Sequence, residues 1–148
     1  MLSDTNAGSI AQPITNPDTP FYPGVDLAEF AELYRVQVAA APVLCERQII
    51  LALVEVNARL AAWKAFQVLA GAAALPAASA EQYTEAVYAT AMALLIPVLP
   101  SVVTDERARE DADGWRQRPR DFRRRADEMI ARITGDRKGS GNVRAELI

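Results

Sequence analysis

Six arginines fall between positions 116 and 125: Arg116, Arg118, Arg120, Arg123, Arg124 and Arg125, offset in that stretch only by Asp121. A guanidinium cluster of this density suits charge-assisted hydrogen bonding to phosphates or carboxylates. Two readings are open. The cluster either touches DNA phosphates, or it is a solvated face that pairs with acidic residues of a neighbouring copy. An acidic run, Glu106, Glu110, Asp111 and Asp113, has the residue types of a cation site. Its spacing matches no cation-binding loop, so it reads as a solvated or interface charge run. Cys45 is the one cysteine, and there is no histidine. Without histidine there are no Ser-His or Cys-His nucleophile pairs and no His-based metal sites. Cys45 reads as a small buried hydrophobe. Gly135, Gly139 and Gly141 have neither phosphate-loop nor dinucleotide spacing. No catalytic, cofactor or metal site is expected, and the chain is not expected to be an enzyme.

At 148 residues the chain reads as one domain. It is 51% hydrophobic and only 7% aromatic, with alanine supplying much of the apolar share, a balance that favours helices. A single cysteine permits no intramolecular disulfide and fits a reducing compartment. Residues 1–100 carry 4 basic and 9 acidic residues, net −5; residues 101–148 carry 12 and 10, net +2. The acidic N-terminal part argues against a dedicated nucleic-acid binder. The first residues lack the basic and apolar regions of a signal peptide. Ala86 to Thr104 is uncharged over 19 residues, but Pro97 and Pro100 interrupt it. A buried helix running into a turn is expected there, not a membrane span.

The element on which the rest depends is Pro42 to Leu69, the longest stretch of unbroken helical pattern. Pro42 suits a first helical turn and Gly71 a C-terminal stop. At about 100° per residue, Ile49, Leu53, Val56, Leu60 and Trp63 form one apolar stripe. Val54, Ala58, Ala61 and Ala65 belong to a second. The bulky stripe is expected to face the domain core. The alanine stripe lets another backbone approach, and Val54, Ala58, Ala61 and Ala65 are expected at a subunit boundary.

Residues 1–20 have the composition of a disordered arm, ordered only if something holds it down, which implies an assembly. Phe21-Tyr22-Pro23-Gly24 is an aromatic anchor with a turn signal. Asp26 and Glu29 form a capping-box pair ahead of a helix from about Leu27 to Val36, and Ser79 with Gln82 another before a helix from about Ala80 to Ile96. A last helix is expected from about Arg118 to Thr134. Its stripe includes Ile130 and Ile133, which join Leu53, Val56, Leu60 and Trp63 as the expected core. After a Gly-rich linker, Val143, Ala145 and Leu147 alternate with Arg144 and Glu146 up to Ile148. A strand on a tether is suited to adding itself to another protein's sheet. The expected fold is therefore all-α: a small helical bundle around one long central helix. It has an extended arm at 1–20, a helical domain at 21–134, and a linker with a strand-like tail at 135–148.

The order FYPGVDLAEFAELYRV, VEVNARLAAWKA, YTEAVYATAMALL, then an Arg-rich helix ending ITGDR and a terminal VRAELI, resembles the head completion proteins of tailed phages. That family also contributes head-to-tail connector adaptors. The resemblance covers about Phe21 to Ile148. It implies a structural virion protein, assembled in the host cytoplasm as a homo-oligomeric ring of twelve copies that sits between portal and tail. The partners it implies are the portal protein, a tail-proximal connector or tail terminator protein, and the DNA passing through the channel; a membrane is not among them. The tail residues Val143, Ala145, Leu147 and Ile148 would reach the portal. Arg116, Arg120, Arg123, Arg124 and Arg125 would face the DNA channel or pair between subunits. The alternative is a small helical nucleic-acid-binding regulator that uses the Arg116–Arg125 cluster.

Overall fold

A computed structural model describes residues 11–98 and 119–135. Arg116, the acidic run Glu106 to Asp113, and the tail residues Val143, Ala145, Leu147 and Ile148 lie outside the described residues.

The described chain is mostly helical. β1 (Pro13–Ile14) pairs antiparallel with β2 (Val25–Asp26), Ile14 opposite Val25. Five α-helices follow: α1 (Leu27–Tyr34), α2 (Pro42–Arg59), α3 (Ala61–Leu69), α4 (Ala80–Leu95) and α5 (Pro119–Thr134). Short 3₁₀ turns at Val38–Ala40, Ala77–Ser79 and Ile96–Val98 link them. No helix among the described residues is long and apolar enough to cross a membrane.

The bundle is organised differently from the expectation. The long central helix is broken at Leu60, whose φ of −97° and ψ of 5° end α2 and precede α3. The Leu60 amide is shared between the carbonyls of Val56 and Asn57, and the Leu60 carbonyl accepts from Lys64, so the chain turns without losing its hydrogen bonds. No proline or glycine marks the place. Leu60 itself is fully buried. α2 buries Cys45, Ile49, Ala52, Leu53 and Val56, whereas α3 fully buries none of its residues. Trp63, expected in the core, is only half-buried and packs against the core's edge. Full burial of the bulky stripe ends at Leu60.

The centre belongs to α4. Ten of its sixteen residues are buried, from Tyr83 to Leu95, and it packs against both α2 and α5. A run of small residues, Ala86, Ala89, Ala91 and Ala93, lets helices close in on it from more than one side. α5 adds Ala126, Met129, Ile130 and Ile133. Ion pairs Arg123–Glu55 and Arg59–Asp127 are each four residues apart on both helices and ascend together, so α5 runs parallel to α2.

The N-terminal segment is tied to its own chain. Residues 11–20 were expected to belong to a disordered arm. Instead Ile14 and Asn16 are buried, Gln12 accepts from the Leu27 amide at 2.9 Å, and the Gln12 amide donates to Asp26 at 2.9 Å. Asp26 also caps α1 by accepting from the Ala28 amide at 2.9 Å. Ser79 makes no such side-chain cap for α4.

Gly24 is where the hairpin approaches most closely. A Cβ there would lie 2.6 Å from the Ile14 carbonyl oxygen, a backbone atom that cannot swing aside. Gly24→Ala should therefore part the two strands and cost about 1–3 kcal/mol, as overpacking does. Urea unfolding of the variant checks this.

Candidate functional site

The surface offers three features that could meet a partner, and the interior holds one buried polar cluster.

The buried cluster is a closed ring of hydrogen bonds. Asn16, 2% exposed, donates to the Tyr83 hydroxyl at 2.7 Å and to the Pro23 carbonyl at 2.9 Å. Tyr83 donates to Asn57 at 2.6 Å, and Asn57 donates back to Asn16 at 2.9 Å. The Asp18 amide fills the second position on the Asn16 oxygen at 2.8 Å. Lys64 then pairs with Asp18 at 2.7 Å and lies over the Phe21 ring, 5.1 Å from its centroid. Every polar atom of Asn16 is used, so this cluster pins the hairpin to α2, α3 and α4 and leaves no group over for chemistry.

Tyr22 is different. Its ring stacks on Tyr83 at 4.8 Å, but its buried hydroxyl has no hydrogen-bond partner. Burial first, and the Asp18 charge second, push its pKa up to about 12. Burial also raises Tyr83 and Tyr88. A phenol whose pKa is raised in the folded state adds stability that is fully present below pH 10 and is lost as pH climbs toward the folded value. Thermal unfolding temperature should therefore fall between about pH 10 and pH 12. Tyr22→Phe should blunt that fall, and at neutral pH should stabilise by about 1 kcal/mol by removing an unsatisfied hydroxyl.

The first surface feature is the arginine face of α5. Arg123 pairs with Glu55 of α2, Arg125 with Glu85 of α4, and Arg124 with Asp121 one turn earlier at 2.9 Å. These arginines are thus engaged with carboxylates of their own chain. Arg120 is exposed. Each half-exposed pair is worth about 0–1 kcal/mol, so together they orient α5 more than they stabilise it.

The second is an apolar ridge along α2 and α3. Val43, Leu51 and Val54 are exposed, as are Ala58, Ala61 and Ala65, and Phe66 and Leu69 are 74% and 84% exposed. The structure brings the four predicted boundary residues, Val54, Ala58, Ala61 and Ala65, onto this solvent-facing side. Of the predicted core residues, Leu53, Val56 and Leu60 have no exposed surface, and Ile130 and Ile133 are 7% and 8% exposed.

The third is a groove between α1, α4 and α5, of about 850 Å³. Tyr34, Tyr88 and Phe122 line its floor, and Glu29 and Glu81 stand at its rim. No sequence pattern pointed to it, because its walls come from three helices far apart in the chain. Cys45, fully buried, has its thiol pushed up by burial, the condition of an inert cysteine. Among the described residues no three His, Cys, Asp or Glu side chains come together as metal ligands would.

Fold and surface together define a small helical module that carries an arginine-rich helix face, an exposed apolar ridge and a groove lined by aromatic and acidic residues. The family model of the phage head completion protein (GPL) matches residues 14–143, and the chain belongs to that family. It is thus a structural head-completion protein of a bacteriophage, a virion component that interacts with other virion proteins; such proteins are generally not enzymes. No curated protein and no solved structure matches it.

Proposed function

We propose that this head-completion protein assembles as a ring between portal and tail and conveys DNA through its channel. The observation that supports this best is the apolar ridge of α2 and α3. The bundle closes its core without Val54, Phe66 or Leu69, so their exposure is not a by-product of folding. Large apolar side chains left exposed close together mark a protein–protein contact. Small residues at Ala58, Ala61 and Ala65 allow a neighbouring helix to approach closely, with Val54, Phe66 and Leu69 providing buried area. In this reading Val143, Ala145, Leu147 and Ile148 form the tail that reaches the portal, a tail-proximal connector or tail terminator protein binds the opposite side, and twelve copies close the ring.

Native mass measurement of the full chain, alone and with portal protein, tests the reading. A ring is expected on the portal. Ala58→Arg, on an exposed helical position, should leave the fold intact and abolish the ring. Deleting residues 142–148 should abolish portal attachment. A monomer that ignores the portal with its tail intact would sink the proposal.

The alternative, a nucleic-acid-binding regulator, has less to stand on, since Arg123, Arg124 and Arg125 are each paired within the chain. In a ring, Arg120, exposed and outside these pairs, is the described arginine of the cluster best placed to meet passing DNA. Duplex DNA retarded by the isolated chain, with a steep loss on adding salt, would favour the regulator.

A further inference from the structure

The groove between α1, α4 and α5 has a chemistry that neither the core nor the apolar ridge calls for. Aromatic rings make its floor: Tyr34 lies 5.9 Å from Phe122 and 6.4 Å from Tyr88, centroid to centroid. Leu33, 62% exposed, extends the floor outward. Glu85 also faces the groove, but Arg125 neutralises it. Glu29 and Glu81 have no cationic partner among the described residues, so the described lining carries two carboxylates without a cation beside its aromatic rings.

We propose that this groove docks a lysine- or arginine-bearing segment of a partner protein. Three physical arguments converge on a cation. Aromatic faces attract an ammonium or guanidinium through their quadrupole. Carboxylates at the rim complete its pairing. An apolar floor takes the methylene stem, which lysine and arginine lay along apolar surface while the head stays charged. The size of the groove, about 850 Å³, exceeds one side chain and fits a short stretch of polypeptide. Part of the site is already set. Tyr88 is placed by the Asp26 amide, which donates to its hydroxyl at 3.2 Å, and Glu29 accepts from that hydroxyl at 2.8 Å. A carboxylate held in this way loses little freedom when a cation arrives. The same charges repel nucleic acid, so the groove and the arginine face of α5 serve partners of opposite sign. The groove does not depend on the ring, and either could fail without the other.

A fluorescein-labelled Leu-Arg-Leu-Lys-Arg-Leu peptide, titrated against the full chain and followed by anisotropy, provides the test. Saturable binding is expected, with none for the same peptide carrying Glu in place of Arg and Lys. Glu29→Gln with Glu81→Gln should weaken binding roughly tenfold, the scale of lost charge complementarity. Glu29→Gln keeps an acceptor for Tyr88. Leu33→Ser, at an exposed position, should weaken binding several-fold even if the double variant folds poorly. Glu46→Gln, an exposed acid on α2, should change nothing. Equal weakening by Glu46→Gln would reduce the effect to the net charge of −3 and overturn the proposal. So would the absence of saturable binding at low salt. Displacement of the probe by an unlabelled peptide of residues 136–148 would assign the groove to the chain's own terminus and overturn the foreign partner.

Discussion

Leu60→Ala should lower the free energy of unfolding by about 2–5 kcal/mol, the range for a leucine removed from a closed core. Leu60 has no exposed surface, and it sits where the helix path changes. Truncation there does two things. It leaves a cavity, and it removes the side chain that the turn between α2 and α3 drives inward. Neighbouring groups cannot easily collapse into the space, because α4 on the other side is already lined with alanines. Trp63→Ala, by contrast, should cost only about 1–2 kcal/mol, since Trp63 lies half-buried at the core's edge. Equilibrium urea unfolding of both variants gives the comparison. A larger loss at Trp63 than at Leu60 would mean that the bulky stripe continues through the break.

Asn16→Ala should cost about 3 kcal/mol. The substitution leaves the Asn57 amide without its acceptor and the Tyr83 hydroxyl without its donor. Orphaned buried groups of this kind cost about 1–3 kcal/mol each. The Pro23 carbonyl and the Asp18 amide also lose their partner, but they are less enclosed and can turn to water. A double-mutant cycle of Asn16→Ala with Asn57→Ala should show strong coupling, because the two amides share one ring of bonds. Stability that falls by less than 1 kcal/mol in Asn16→Ala would show that the ring is ornamental and that the hairpin is held by apolar contacts alone.

Much of the helical outline was legible in the sequence. Asp26 before Leu27, proline at 42 and glycine at 71 are local signals, and the helices start or stop within a residue or two of them. Periodicity along 119–134 likewise placed Ile130 and Ile133 inward. What escaped was non-local. The break at Leu60 has no breaking residue. Asn57 and Lys64, on either side of it, are anchored on Tyr83, Asn16 and Asp18. Strands of two residues are too short to show alternation, so in the sequence β1 looks like part of a polar arm and β2 like the lead into the cap of α1. The groove was invisible for the same reason, since Glu29, Glu81 and Phe122 share no segment. Arg123 and Arg125 could be read as a basic cluster but not as partners of Glu55 and Glu85, which lie 68 and 40 residues away. Of the residues that carry the family resemblance, Phe21, Tyr22, Pro23, Asp26 and Asn57 build the hairpin and its polar anchor, whereas Tyr34 lines the groove and Leu60 and Trp63 flank the break between α2 and α3.

The anchor at Asn16 fixes how late in the chain's synthesis its hairpin can be pinned. Its partner Tyr83 is 67 residues further along the chain. At about 5–20 residues per second, a ribosome needs roughly 3–13 s to make that interval. Until then Ile14, Phe21 and Tyr22 have left the tunnel with no finished core to enter. The domain cannot lock from its N-terminus onward; it waits for α4 and then closes over it. A truncation that starts after Pro20 would shorten that wait, but it would also remove the plug formed by Ile14 and Asn16.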